Sequence, residues 1–232
     1  MTIRLICLDA DDTLWHNETF FRATQQRFCG LLSRYGDPAA VFARLAEVEH
    51  RNLPLYGYGA KGFTLSMLEA ALELSDGCVP VETLADLLAA GREMMRHPVE
   101  ALPGVAEALP HLADRAKLVL VTKGDLFHQE AKLAASGLGD HFAGVEIVSE
   151  KTPATYSRIF SHRGVAPHEA VMAGNSVRSD ILPALEAGAW AALILYPLEW
   201  AHEAAEVPRD HPRFLELATL GDLLQWIDAR RG

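Results

Sequence analysis

A chain of 232 residues, half of them apolar and 22% charged, has room for one large domain or for a core domain with a smaller companion. It can bury most of its apolar surface without metals or disulfides as staples. A formal net charge of −10 argues against extended contact with DNA or RNA, because basic groups on phosphate supply most of that affinity.

The first apolar run, Ile3 to Leu8 interrupted by Arg4, is too short for the apolar region of a signal peptide and lacks a cleavage site. No stretch approaches the roughly 18 apolar residues of a membrane span. Cys7, Cys29 and Cys78 lie far apart with no CxxC pair, so neither a zinc site nor a disulfide framework is expected. These features predict a cytoplasmic protein, its thiols reduced, with no membrane association and no nucleic-acid partner.

Residues 4–8 have the length and flanks of a buried parallel strand. A stretch with helical spacing follows, predicting helices over 18–35, 38–50, 63–74 and 80–95. Leu84, Leu87, Leu88 and Met95 show the three- and four-residue intervals that place apolar side chains on one face. Residues 52–63 contain Gly57, Gly59 and Gly62 and are expected to form an interhelical loop, with Lys61 either solvated or facing an anionic group. The chain returns near 98–103. Strands are then expected at 117–121, 144–148, 170–173 and 191–196, separated by helices at 104–113, 126–135, 154–163 and 181–187. Three of these helices stop at Gly137, Gly164 and Gly188. Residues 197–212 read as a surface excursion before a last helix at 220–229.

Strands alternating with helices predict an α/β fold with a doubly wound parallel sheet. About a hundred residues separate the first two strands, where a crossover needs only a dozen or more. The insert therefore predicts a smaller all-helical domain at 16–99, with the α/β core formed by 1–15 and 100–232.

In open α/β sheets, ligands sit beyond the carboxyl ends of the strands. The first strand ends in Asp9-Ala10-Asp11-Asp12-Thr13, and the second in Thr122-Lys123-Gly124-Asp125. The third runs into Lys151-Thr152-Pro153, and the fourth ends in Gly174-Asn175-Ser176-Val177-Arg178-Ser179-Asp180. Taken singly, an aspartate here reads equally well as a helix cap, a threonine as a strand-end hydroxyl and a lysine as a solvated cation. All four ends being polar together is what points to a site. Asp9 and Asp11 can face one crevice from an extended strand. Paired carboxylates repel unless a cation or shared proton intervenes, and a hard ion with oxygen ligands such as Mg²⁺ suits them. Thr122 and the turn after it offer hydroxyl and N–H donors to an anion, and Lys151 offers a compensating charge. Trp15 either lines the pocket or packs, and its bulk favours packing. No histidine has metal-ligand spacing.

These four segments, in this order, resemble the four motifs of the haloacid dehalogenase-like (HAD) superfamily, whose core is Rossmann-like and whose cap is often inserted after the first motif. The resemblance spans nearly the whole chain. It implies a Mg²⁺-dependent phosphatase acting on a small phosphorylated metabolite. Asp9 would be the nucleophile and Asp11 the general acid/base. Lys151 would steady Asp9 and the phosphoryl group. Thr13 would orient the loop, Thr122, Lys123 and Gly124 would meet phosphate, and Lys61 would meet substrate from the cap. Asp9, Asp11 (through its carbonyl), Asn175 and Asp180 would hold the metal. Dehalogenases of this family lack a carboxylate two residues after the nucleophile, since halide leaves without a proton. Asp11 thus favours phosphate chemistry. The family's fourth motif usually begins Gly-Asp, whereas this chain has Gly174-Asn175, which implies weaker metal binding and leaves open a weakly active or non-catalytic binding protein. A phosphosugar mutase using the same residues is the other alternative.

Overall fold

The structure, a computed structural model, describes residues 2–198 and 200–230. The chain divides into two compact units: Met1–Glu18, Val99–Lys123 and Gln129–Gly232 form the first, and Thr19–Pro98 with Gly124–His128 the second.

Among the described residues the first unit contains a six-stranded sheet in the order β3-β2-β1-β4-β5-β6. The strands are β1 (Leu5–Leu8), β2 (Lys117–Lys123), β3 (Gly144–Val148), β4 (Ala170–Gly174), β5 (Trp190–Ile194) and β6 (Phe214–Leu217). Every pairing is parallel, with Leu8 opposite Leu120 on one side and Ala173 on the other. This is the doubly wound order, and β1, between β2 and β4, lies at the switch point where such folds place their ligands.

Alternation along the strands explains why both faces are covered. Ile6, Leu8, Leu118, Leu120, Val171 and Ala173 bury one face with α5 (Val105–Ala113) and α9 (Leu220–Asp228). Leu5, Cys7, Val119, Val121, Ala170 and Met172 bury the other with α7 (Pro153–His162) and α8 (Leu182–Glu186). Period-two side chains that are all apolar need a layer on each side. Helix α6 (Leu126–Ser136) supplies Leu133 to the first of these cores.

The second unit is helical: α1 (Glu18–Leu31), α2 (Pro38–Tyr56), α3 (Ala60–Leu74) and α4 (Val81–Arg96). Phe28, Leu45, Val48, Phe63, Met67 and Leu87 form its core, with the Phe21 and Phe63 rings 5.2 Å apart. A Cβ at Gly91 would collide with Thr64, so glycine lets α4 pass close to α3.

Three expectations need correction. Residues 52–63 are not a long loop, because α2 continues through Pro54 to Tyr56 and α3 opens at Ala60. The turn is confined to Gly57–Gly59, where Gly57 (φ 70°) and Gly59 (φ 101°) adopt backbone that L side chains rarely take. Lys61 consequently sits in the first turn of a helix. Strand β6 was not anticipated, since its half-buried Phe-Leu-Glu-Leu run follows a proline-rich stretch and forms a sheet edge. Finally, a turn of π-helix at Val177–Ile181 precedes α8 where only a helix from 181 was expected.

Candidate active site

Beyond the carboxyl ends of β1 and β4, and joined by the segment after β3, three buried charges meet. Lys151 donates to Asp180 Oδ1 at 2.7 Å and also bonds Asp9 Oδ1, with side-chain exposures of 2%, 0% and 10% for Lys151, Asp180 and Asp9. Each group is held by its own backbone. Asp9 continues β1, its N–H bonding Ala173 O at 2.9 Å. Lys151 precedes Thr152, whose hydroxyl caps α7 by accepting from the Thr155 N–H at 3.1 Å. Asp180 is anchored in the π turn, where its Oδ2 accepts from the Ser176 N–H at 3.0 Å. A Cβ at Gly174 would run into the Asp180 carboxylate, so only glycine fits where β4 ends.

One ammonium facing two carboxylates leaves a net negative charge in a buried site. Burial pushes Asp9 up to about 7, and the repulsion of Asp180 adds to this against the pull of Lys151. Burial opposes the charge of Lys151, but Asp180 and Asp9 outweigh it and hold the ammonium above its ordinary range. The uncompensated charge and all-oxygen donors of Asp9, Asp180 and Asn175 fit a hard divalent cation. Among the described residues no three His, Cys, Asp or Glu side chains converge as a ready-made metal cage. Such an ion would draw on two carboxylates, water and substrate, as Mg²⁺ commonly does.

Thr13 lies 3.4 Å from Asp9 Oδ2 and 3.2 Å from Asn175 Oδ1. Its single proton serves one acceptor at a time, so this hydroxyl links the first and fourth segments. Asp12 has a left-handed backbone (φ 60°) and accepts the Asn17 and Glu18 N–H groups, capping the start of α1. Burial raises its carboxyl to about 7.

Asp11 faces a different set of partners. Trp15 Nε1 donates to its Oδ1 at 2.7 Å and Lys132 Nζ at 2.5 Å, while Gln129 Nε2 reaches Oδ2 at 3.0 Å. Burial alone would raise its pKa, but the Lys132 charge and these hydrogen bonds overcome it and hold the carboxyl below its usual range. Trp15 therefore both packs, at 1% exposure, and donates. Thr122 is buried, its hydroxyl accepting from Gln129 Nε2 at 2.8 Å. The Lys123 ammonium is engaged by Ser179 Oγ at 2.8 Å and Glu203 Oε1 at 2.6 Å. Glu203 also accepts from Ser176 and Ser179.

The structure thus brings Asp9, Asp11, Thr13, Thr122, Lys123, Lys151, Asn175 and Asp180 to one rim of the first unit. Lys61 and Gly124 belong to the second. There Lys61 pairs with Asp125 at 2.8 Å and lies 5.7 Å from the Phe127 ring centroid. Gly124 takes φ 127°, which accounts for a glycine at that turn. Sequence reasoning passed over Gln129, Lys132 and Glu203. The signal for the first two was a pair of polar residues three apart on α6, which reads ordinarily as a solvated face.

A sequence profile described as haloacid dehalogenase-like hydrolase matches residues 3–188. A crystal structure of a haloacid dehalogenase-like family hydrolase from Xanthomonas campestris is 40% identical, with a TM-score of 0.88 over 98% of this chain and 91% of that one. Phosphoserine phosphatase of Thermus thermophilus is 28% identical over 226 residues, covering 83% of this chain and 88% of that protein. N-acylneuraminate-9-phosphatase of Mus musculus is 27% identical over 136 residues, 54% of this chain and 52% of that protein. The chain belongs to the haloacid dehalogenase-like hydrolases.

Proposed function

We propose that this hydrolase is a Mg²⁺-dependent phosphatase that cleaves a small phosphorylated metabolite through an aspartyl-phosphate on Asp9, with the helical insert serving as its cap. The observation carrying this reading is the Asp9–Lys151–Asp180 cluster with Asp11 two residues along the same strand end. The phosphatase names of two relatives support it.

In the first step Asp9 attacks phosphorus and the bond to the leaving oxygen breaks, Asp11 giving that oxygen its proton. In the second, water attacks the aspartyl-phosphate, Asp11 takes the water's proton, and the bond to Asp9 breaks to release phosphate. Lys151 offsets negative charge on Asp9 and on the phosphoryl oxygens, and Thr122 orients them. Asp9, the Asp11 carbonyl, Asn175 and Asp180 would hold Mg²⁺, which when bound neutralises charge shared by nucleophile and phosphate. A halide leaves without a proton, so a carboxylate at position 11 favours an oxygen leaving group, and the three donors that keep it ionised suit its role as base toward water in the second step. Phosphate release from an aryl phosphate, with and without Mg²⁺ and in Asp9→Asn, tests the reading. Activity that needs the metal and is lost in Asp9→Asn supports it, and equal rates in both proteins overturn it. Screening phosphorylated acids, sugars and nucleotides then identifies the substrate.

A further inference from the structure

Resting on that reading, we infer that Lys132, with Gln129, is a positioning residue that aims the Asp11 carboxylate for attack by water on the phosphoenzyme. Lys132 lies 121 residues from Asp11 in sequence, outside the four motif segments. Its side chain is 12% exposed, and its ammonium reaches only Asp11 Oδ1 at 2.5 Å and Asn17 Oδ1 at 3.3 Å among the hydrogen bonds of the described residues. Burying a lysine this far is costly unless its charge is paired, and Asp11 is the charge that pairs it.

Gln129 lies three residues earlier and so shares the same helical face. Its Nε2 meets Asp11 Oδ2 at 3.0 Å, Thr122 Oγ1 at 2.8 Å and Lys123 O at 2.7 Å. The opposite end of that amide, the buried Oε1, has no hydrogen-bond partner among the described residues. The side chain is thus oriented wholly by what its nitrogen holds. With Trp15 on Oδ1 as well, both oxygens of Asp11 are fixed from outside the strand, so rotation of the carboxylate means breaking charge-assisted bonds. The Asp11 side chain nevertheless remains 25% exposed, which leaves an approach for water.

The two half-reactions depend on this aim differently. With p-nitrophenyl phosphate the departing phenolate needs little help from an acid, so forming the phosphoenzyme tolerates a misdirected Asp11. Water is a poor nucleophile, and hydrolysing the phosphoenzyme needs a base in place.

Rapid mixing of the full chain with p-nitrophenyl phosphate and Mg²⁺ separates first-turnover release of p-nitrophenolate from decay of the phosphoenzyme. In Lys132→Met the decay is expected to slow roughly tenfold or more, with first-turnover release within about twofold of wild type. Lys132→Arg, which keeps the charge, recovers most of the decay rate, and Lys132→Gln repeats the loss with a polar side chain should the methionine variant not fold. Decay unchanged in both neutral variants, or both steps slowed alike, overturns the inference while leaving a wild-type phosphoenzyme intact. A wild type that forms no phosphoenzyme defeats the underlying reading, and the inference with it.

Discussion

Lys151 Nζ lies 2.7 Å from Asp180 Oδ1 while also bonding Asp9, so one buried ammonium holds the first and fourth segments of the site together. Removing that charge leaves two buried carboxylates with nothing opposite them. Lys151→Met is expected to lose about 3–5 kcal/mol of stability by urea denaturation at neutral pH, the cost of breaking a buried ion pair from one side. Its phosphatase activity should fall at least about a hundredfold.

Asn175 places a neutral amide where the family's fourth motif usually has a carboxylate, and its Oδ1 sits 3.2 Å from the Thr13 hydroxyl. Asn175→Asp adds negative charge to the proposed ligand set. Since ligand charge tunes affinity for hard cations, the Mg²⁺ concentration for half-maximal activity should fall by about tenfold, read from a metal titration of phosphate release. An unchanged requirement would separate Asn175 from the metal.

Gly174 ends β4 where a Cβ would meet the Asp180 carboxylate. Gly174→Ala is expected to cost about 1–3 kcal/mol in thermal or urea unfolding. It should also lower activity, because the side chain that must yield belongs to the charged cluster.

Glu203 links the Pro197–Pro212 excursion to Lys123, Ser176 and Ser179. Burial alone would raise its pKa, but the Lys123 charge and the hydrogen bonds outweigh it and depress the carboxyl below its ordinary value of 4.5. A depressed carboxyl stabilises the folded state when ionised. The contribution is therefore complete above that ordinary value and lost as pH falls through the lower folded-state value. Wild type should exceed Glu203→Gln by about 1–3 kcal/mol at pH 7. The gap should close below about pH 4.5, measured by urea unfolding across pH.

The parallel sheet was legible because each buried strand is a short apolar run with a turn at either end, as in Leu118-Val119-Leu120-Val121. The rim was legible because polar residues follow those runs at once. Strand β6 was not, since an edge strand buried on part of one face needs no unbroken apolar run. The continuation of α2 through Pro54 was hidden because proline and glycine together signal a break, while neighbouring helices can hold such a turn in place. Lys132 and Gln129 stayed invisible for a different reason. Nothing in a helix's spacing tells whether a polar face meets water or a carboxylate from a segment 118 or 121 residues away.

The most direct measurement is to mix the enzyme with an aryl phosphate and Mg²⁺, quench in acid within the first turnover, and locate the phosphoryl group by peptide mass spectrometry. The account predicts an acid-stable, base-labile phosphoryl group on the peptide carrying Asp9, absent from Asp9→Asn. Full phosphate release with no such adduct, or an adduct on another residue, would contradict it.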